Sequence, residues 1–379
     1  FLERWHHLTP GTHWHGRAGL RKALMQLQGY ELAAALWERR VLPARCDEYE
    51  PRWLDELSLS GELAWGRLCP PKKDTDEAPS GAGLSRAAPI SLLMRENLSW
   101  LLPRDRAADP SHCRSGAAAA IDALPQRGAL FQHELMSLTG LLPSQLDEAL
   151  HELAALGLVT ADAFTAVRTI SGTATDRRRA DKRRHRRRLR REFTVAPSGR
   201  WSLFPGIIAD IDEQQSLTSW AWQLLRRWGV VFRDLLERES AAPAWGRLVQ
   251  VYRRLEARGE IRGGRFVAGV GGEQYALPEA VEQLRAIRDT APDQTILVLA
   301  AADPINLCGI ITDEPRIAAT HTNTVALRAG HLVAAYQAGE VQWHGDASVG
   351  EIEEVTRRLR LQYHISPLNE MSNEQLQRT

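Results

Sequence analysis

The stretch Gln26-Leu27-Gln28-Gly29 places two primary amides two residues apart. Amides that converge can hold a sugar hydroxyl or a water molecule. In an unbroken helix these side chains point about 200° apart, so convergence requires the helix to unwind near Gly29. The plain alternative is two polar residues at a helix end. A second candidate is Asp303 in "AAADPINLCG" (300–309), at the end of an apolar strand-like run. It is either an Asp-Pro turn or a catalytic carboxylate.

A third candidate is the basic run Arg177, Arg178, Arg179, Lys182, Arg183, Arg184, Arg186, Arg187, Arg188, Arg190 and Arg191, eleven cations within 177–191. Like charges packed this closely destabilise a helix by roughly 0.2–0.5 kcal/mol per i,i+4 pair. Phosphates relieve that repulsion and release counterions, which gives salt-sensitive, sequence-independent affinity. The alternative is a solvated linker. The run contains no aromatic residue, so it is no base-stacking platform. Arg262 and Arg265 in "IRGGRF" offer a smaller phosphate contact, or ordinary exposed charge.

Other chemistries find no support. The glycines of "GVGGEQYAL" (269–277) lead from one strand-like run into another, unlike a dinucleotide fingerprint. "GRAGLRK" (16–22) has the wrong spacing for a phosphate-binding loop, and no nucleotide-hydrolysis motif occurs. "WHHLTPGTHWH" holds His6, His7, His13 and His15 but no nearby acidic or cysteine partner, so no metal is expected. Cys46, Cys69, Cys113 and Cys308 lie far apart, without disulfide-framework or zinc spacing. A reducing, cytoplasmic location fits. No apolar run reaches membrane-spanning length.

The formal charge of +1 over 379 residues hides an asymmetry. Without 177–191 the chain has 37 basic against 46 acidic residues, a net of −9. The run is therefore a separate basic block on an acidic body, the pattern of a loop that meets a polyanion.

The elements that must position these residues show a threefold pattern. "LDELSLSGELAW" (54–65), "LDEALHELAALGLVTA" (146–161) and "LVQVYRRLEARGEIRG" (248–263) each carry Leu four residues before Gly, at Leu57/Gly61, Leu153/Gly157 and Leu255/Gly259. Gly stops a helix by taking the left-handed conformation. Pro51, Pro143 and Pro243 stand at or near the starts, where a missing N–H does no harm. Shorter helices are expected before the second (116–124, 132–139) and third (217–228, 232–239). Hairpins follow each: "ELAWGRL" with "PISLLMREN", "LVTADAFTAVRTI" with "GRWSLF", and "EIRGGRFVAG" with "EQYAL". Helix, helix, recognition-type helix and two-stranded wing is the winged-helix order.

The expected fold is α+β: tandem winged-helix domains at 1–104 (with a loop insert at 70–89), 105–208 (with a basic wing insert at 171–193) and 209–290. A small β-rich, barrel-like module follows at 291–366, with a helix at 350–359 and a tail at 367–379.

"LQGYELAAALWERRVLPARCDEYEPRWLDELSLSGELAWGRL", "GRFVAGVGGEQYALPEAV" and "AADPINLCG" resemble, in the same order, the C-terminal half of bacterial Lhr, the large helicase-related proteins. The likeness covers roughly residues 15–345. It implies an ATP-dependent superfamily 2 DNA helicase linked to repair, whose motor domains, with their ATP and Mg, precede this region. "FLERWHHL" at the start accordingly reads as the middle of an element.

The same half resembles AlkZ/YcaQ-type DNA glycosylases, which carry a Gln-apolar-Gln or Gln-apolar-Asp motif before a "WSRL…YDPAWLD"-like segment. Gln26-Leu27-Gln28 stands at almost that distance from "RWLDEL". The resemblance implies that this pair positions water at the sugar carbon of an extruded nucleotide. Some Lhr-type proteins are associated with uracil removal through an Asp close to the chain end. The last residues here hold Glu370 and Glu374 but no Asp, a departure from that pattern.

The expected function is DNA binding, on single strands or damaged duplex, by the non-motor part of a helicase, with no cofactor of its own and no membrane partner. The alternatives are a DNA glycosylase acting on uracil or alkylated bases, and a homo-oligomerisation module.

Overall fold

Gly61, Gly157 and Gly259 all take positive φ, at 79°, 69° and 74°. Each closes a helix that begins beside a proline: Pro51–Leu59, Pro143–Ala155 and Trp245–Ala257. In the second and third, the carbonyl of the leucine four residues before the glycine (Leu153, Leu255) accepts from the N–H just after it. These stops let the chain turn straight from helix into wing. The computed structural model describes residues 1–70, 87–103, 110–111, 113–170, 199–205, 211–345 and 347–364. The basic run 177–191, most of the 70–89 insert, and Glu370 and Glu374 of the tail lie outside the described residues.

Three antiparallel sheets share one topology. The first joins β2 (Leu32–Ala33), β4 (Leu63–Gly66) and β5 (Pro89–Met94), next to a short parallel pair β1 (Trp14–His15) and β3 (Cys46–Asp47). The second joins β6 (Leu130–Phe131), β7 (Val159–Ala161) and β8 (Arg200–Leu203). The third joins β9 (Val230–Val231), β10 (Arg262–Gly264) and β11 (Gln274–Ala276). In each, the last strand lies between the other two: β2-β5-β4, β6-β8-β7 and β9-β11-β10. A strand between helices one and two thus pairs with the returning wing strand, as a winged helix requires.

Within the winged units two expectations need correction. "DAFTAVRTI" does not continue the wing strand. β7 stops at Ala161 and Thr165–Ile170 is helical; Phe164, Ala166 and Val167 are buried, and that i, i+2, i+3 spacing suits a helix rather than a strand. The segment expected as a helix at 232–239 is a 3₁₀ helix, Arg233–Arg238.

Unit one carries the partition of the whole molecule. Every residue of β4 and all but the first of β5 are buried, although neighbouring side chains in a strand point to opposite faces. Leu63, Trp65, Ile90, Leu92 and Met94 enter one core together with unit two. Ala64 and Leu93, the intervening residues, enter a second core with unit three. The hairpin is therefore sandwiched, which explains its nearly continuous apolar sequence. Trp65 meets Trp201 edge-on at 6.0 Å, and Thr160 Oγ1 donates to the Trp65 carbonyl at 2.6 Å. Gly66 is required because the Phe204 ring lies 2.6 Å from where a Cβ would sit.

Beyond unit three, β12 (Ile296–Ala300), β13 (Thr324–Arg328), β14 (His331–Gln337) and β15 (Glu340–Trp343) form a four-stranded antiparallel meander. The helix Val349–His364 covers one face through Val355 and Leu359. The other face packs with Leu8 and Ala44 of unit one. β12 and β15 are not paired with one another among the described residues, so this is an open sheet capped by a helix, not a closed barrel. No helix among the described residues is long and apolar enough to cross a membrane.

Candidate functional site

The helix Gly16–Leu27 buries Leu20, Ala23, Leu24 and Leu27 in the core. It ends at Leu27: Gln28 is extended (φ −57°, ψ 138°) and Gly29 has φ +86°. The unwinding on which convergence depends is present, yet the two amides serve different surroundings. Gln28 is 0% exposed. Its Nε2 donates to Gln223 Oε1 at 3.0 Å, and its Oε1 accepts from Met94 N (3.3 Å) and Asn97 Nδ2 (3.0 Å). Gln223 Nε2 in turn donates to the carbonyls of Met25 and Gln26. Arg227, paired with Glu239 at 0% side-chain exposure, donates to the carbonyls of Gln26 and Gln28. Gln28 is thus the centre of a buried polar seam between units one and three.

Gln26 is 7% exposed and donates to the Trp5 carbonyl at 2.9 Å. It borders a cavity of about 520 Å³ whose walls include Trp5, Trp14, Trp222, Arg4, Lys22, Arg226 and Glu279. Lys22 Nζ lies 5.5 Å from the centre of the Trp14 ring, within cation–π range. His7 stands edge-on to Trp14 at 4.0 Å. It holds a left-handed backbone (φ 56°) with Nδ1 against the Thr12 carbonyl at 2.6 Å. Burial holds the His7 pKa below its ordinary value, and lowers that of Arg226. With His7 neutral, three cations face one carboxylate, leaving a net charge of +2 on the walls. Aromatic faces for a flat ring, cations for a phosphate, an amide at the edge and a volume typical of ligand sites suit a nucleotide.

The other candidates stand apart. Asp303 is 1% exposed and takes two hydrogen bonds from Arg45, at 2.8 and 2.9 Å. Its Oδ1 also accepts from Ile305 N, and it does not line this cavity. The pair ties unit one to the C-terminal sheet. Arg262 and Arg265 are exposed on the third wing, Arg265 donating to the Val270 carbonyl at 3.3 Å. No group of residues suited to hold a metal occurs among the described residues. Trp5 and Trp14 belong to the histidine-rich N-terminal stretch, and their proximity to Trp222, more than 200 positions on, has no signature in the sequence.

Two parts of the chain match domain families. Residues 1–81 match the third, and 210–296 the fourth, winged-helix domain of large helicase-related (Lhr) proteins. The chain is 28% identical over 346 residues to the Lhr helicase/uracil glycosylase of Escherichia coli (strain K12), covering 86% of this chain and 21% of that protein. It is 29% identical over 365 residues to the Lhr helicase/probable uracil glycosylase of Mycolicibacterium smegmatis, covering 90% and 22%. The chain thus spans about a fifth of the length of these relatives. In fold it is similar to the DNA glycosylase AlkZ of Streptomyces sahachiroi, with a TM-score of 0.50, 13% identity and 93% of each chain covered.

Proposed function

From a chain that carries winged-helix domains of the large helicase-related family, we propose a DNA-binding region that holds DNA for a helicase acting in repair, its ATP-driven motor supplied by other segments. The cavity beside Gln26 receives an unstacked nucleobase. The observation that carries this reading is the meeting of Trp5, Trp14 and Trp222 with Arg4, Lys22 and Arg226 around one opening. The rings stack on a base and the cations hold its phosphates. Base–aromatic stacking contributes about 1–3 kcal/mol per base.

The test places 2-aminopurine at an unpaired position in a duplex. Stacking in the cavity quenches its fluorescence, and Trp14→Ala or Lys22→Ala weakens that response while a fully paired duplex binds as before. Quenching that is unaltered in both variants excludes the cavity.

A second reading is a DNA glycosylase, favoured by the Gln26 amide at the cavity edge and by the glycosylase in the names of the relatives. There Gln26 would orient the attacking water and Glu279 would face the developing positive charge on the sugar. Uracil- and alkyl-base duplexes incubated with the chain then gain abasic sites, and Gln26→Ala removes them. Absence of product limits the site to binding.

A further inference from the structure

The three units place a helix in the same topological position, but the three helices differ in what they offer to a phosphate backbone. In unit one the position is occupied. Arg168 of unit two bonds to Asp55 (2.8 Å), to Glu38 and to the Pro51 carbonyl (3.2 Å). This covers the start of the helix Pro51–Leu59. In unit two the helix Pro143–Ala155 displays Ser144, Gln145, Asp147 and Glu148, with Glu152 half-buried and no cation. Three carboxylates on that helix repel a polyanion.

Unit three is the opposite case. The exposed residues of Trp245–Ala257 include Arg247, Gln250, Arg253 and Arg254 at helical spacing, with Glu256 the one carboxylate among them. Arg258, Arg262 and Arg265 continue this stripe into the wing, all exposed. Arg254 and Arg262 make no ion pair among the described residues. Arg247 pairs with Glu213, Arg253 with Glu273 and Arg258 with Glu260, in exposed contacts that contribute little and that a phosphate can replace. Gly246 and Ala257 on the same face allow close approach. An amide centred in an arginine stripe can read a base edge while the arginines hold phosphates on either side.

We propose that, among the described residues, the chain grips duplex DNA through the third winged unit, with Trp245–Ala257 in the major groove and Arg262 and Arg265 of the wing on the backbone. This rests on the DNA-binding reading above and assigns the surface that performs it. B-form DNA is the ligand, because its major groove admits a helix whereas that of duplex RNA is too narrow.

The experiment measures anisotropy of the full chain on a labelled intact DNA duplex across a salt series, with a single strand and an RNA duplex of the same sequence as further probes. Arg254→Ala and Arg262→Ala each lower the slope of log affinity against log salt by about 1 and weaken duplex binding several-fold. Asp147→Ala and Glu148→Ala leave it unchanged. Wild-type slopes in both arginine variants, or a loss in the unit-two variants, overturn the assignment. So does equal affinity for duplex RNA. Binding to the single strand but not the duplex overturns the assignment and leaves the DNA-binding reading standing; failure to bind any DNA removes both.

Discussion

Gln28 and Gln26 differ by two positions, and the structure gives them opposite expected phenotypes. Gln28→Ala deletes an amide with no exposed surface and three side-chain hydrogen bonds. The Asn97 amide is partly buried and can turn toward water. The Met94 N–H loses this side-chain partner inside the protein, and Gln223 Oε1 keeps only Arg226 at 3.3 Å. A buried polar group left unmade costs about 1–3 kcal/mol, and the vacated volume adds to it. The expected loss is therefore about 2–4 kcal/mol. At about 1–1.5 °C per kcal/mol for a cooperative chain of 379 residues, the melting temperature falls by roughly 2–6 °C. Gln26→Ala loses one bond to a carbonyl at the rim of a cavity, where water can replace it, and costs under about 1 kcal/mol. Differential scanning calorimetry of both variants, beside the 2-aminopurine response, separates the roles. Gln28→Ala melting within about 1 °C of wild type, or Gln26→Ala melting as low as Gln28→Ala, would refute the reasoning.

Arg227→Met strands the Glu239 carboxylate in the interior, at about 3–5 kcal/mol; adding Glu239→Gln recovers part of it in urea titrations, and a double variant no more stable than the single contradicts the pairing. His6 is fully buried, and burial first, then Arg45 and Arg227, holds its pKa well below 6.5. The unfolded chain takes a proton near that value while the folded chain does not, so stability falls as pH drops below about 6.5. His6→Asn flattens this acid limb of the melting-temperature profile, and an unaltered limb counts against it. Gly66→Ala drives a Cβ against the Phe204 ring and costs about 1–3 kcal/mol. Gly246→Ala, with open space around it, melts no lower than wild type, and a fall comparable to that of Gly66→Ala would show that crowding is not the cause.

The winged-helix pattern was legible because its signals are local. A proline at the start of a helix, a glycine at its end and alternating apolar residues beyond act over a few residues, and Gly61, Gly157 and Gly259 hold the conformations their positions demand. The α-helical turn after β7 was missed because Phe164, Ala166 and Val167 are apolar in a run too short to separate the periods of helix and strand. β4 and β5 read only as apolar strands; that their alternate residues divide two cores could not be read, since neither core lies within one unit.

The candidate site divides in the same way. Residue type and spacing alone marked Gln26 and Gln28 and separated the basic block from an acidic body. Tertiary structure decided that Gln28 is consumed by Gln223 and Met94 while Gln26 reaches a cavity, and that Asp303 answers Arg45. It also brought Trp222 to Trp5 and Trp14. The physical reason is range. Helix stops and strand alternation are set by near neighbours, whereas the partner of a buried amide or carboxylate comes from whichever distant segment packs against it.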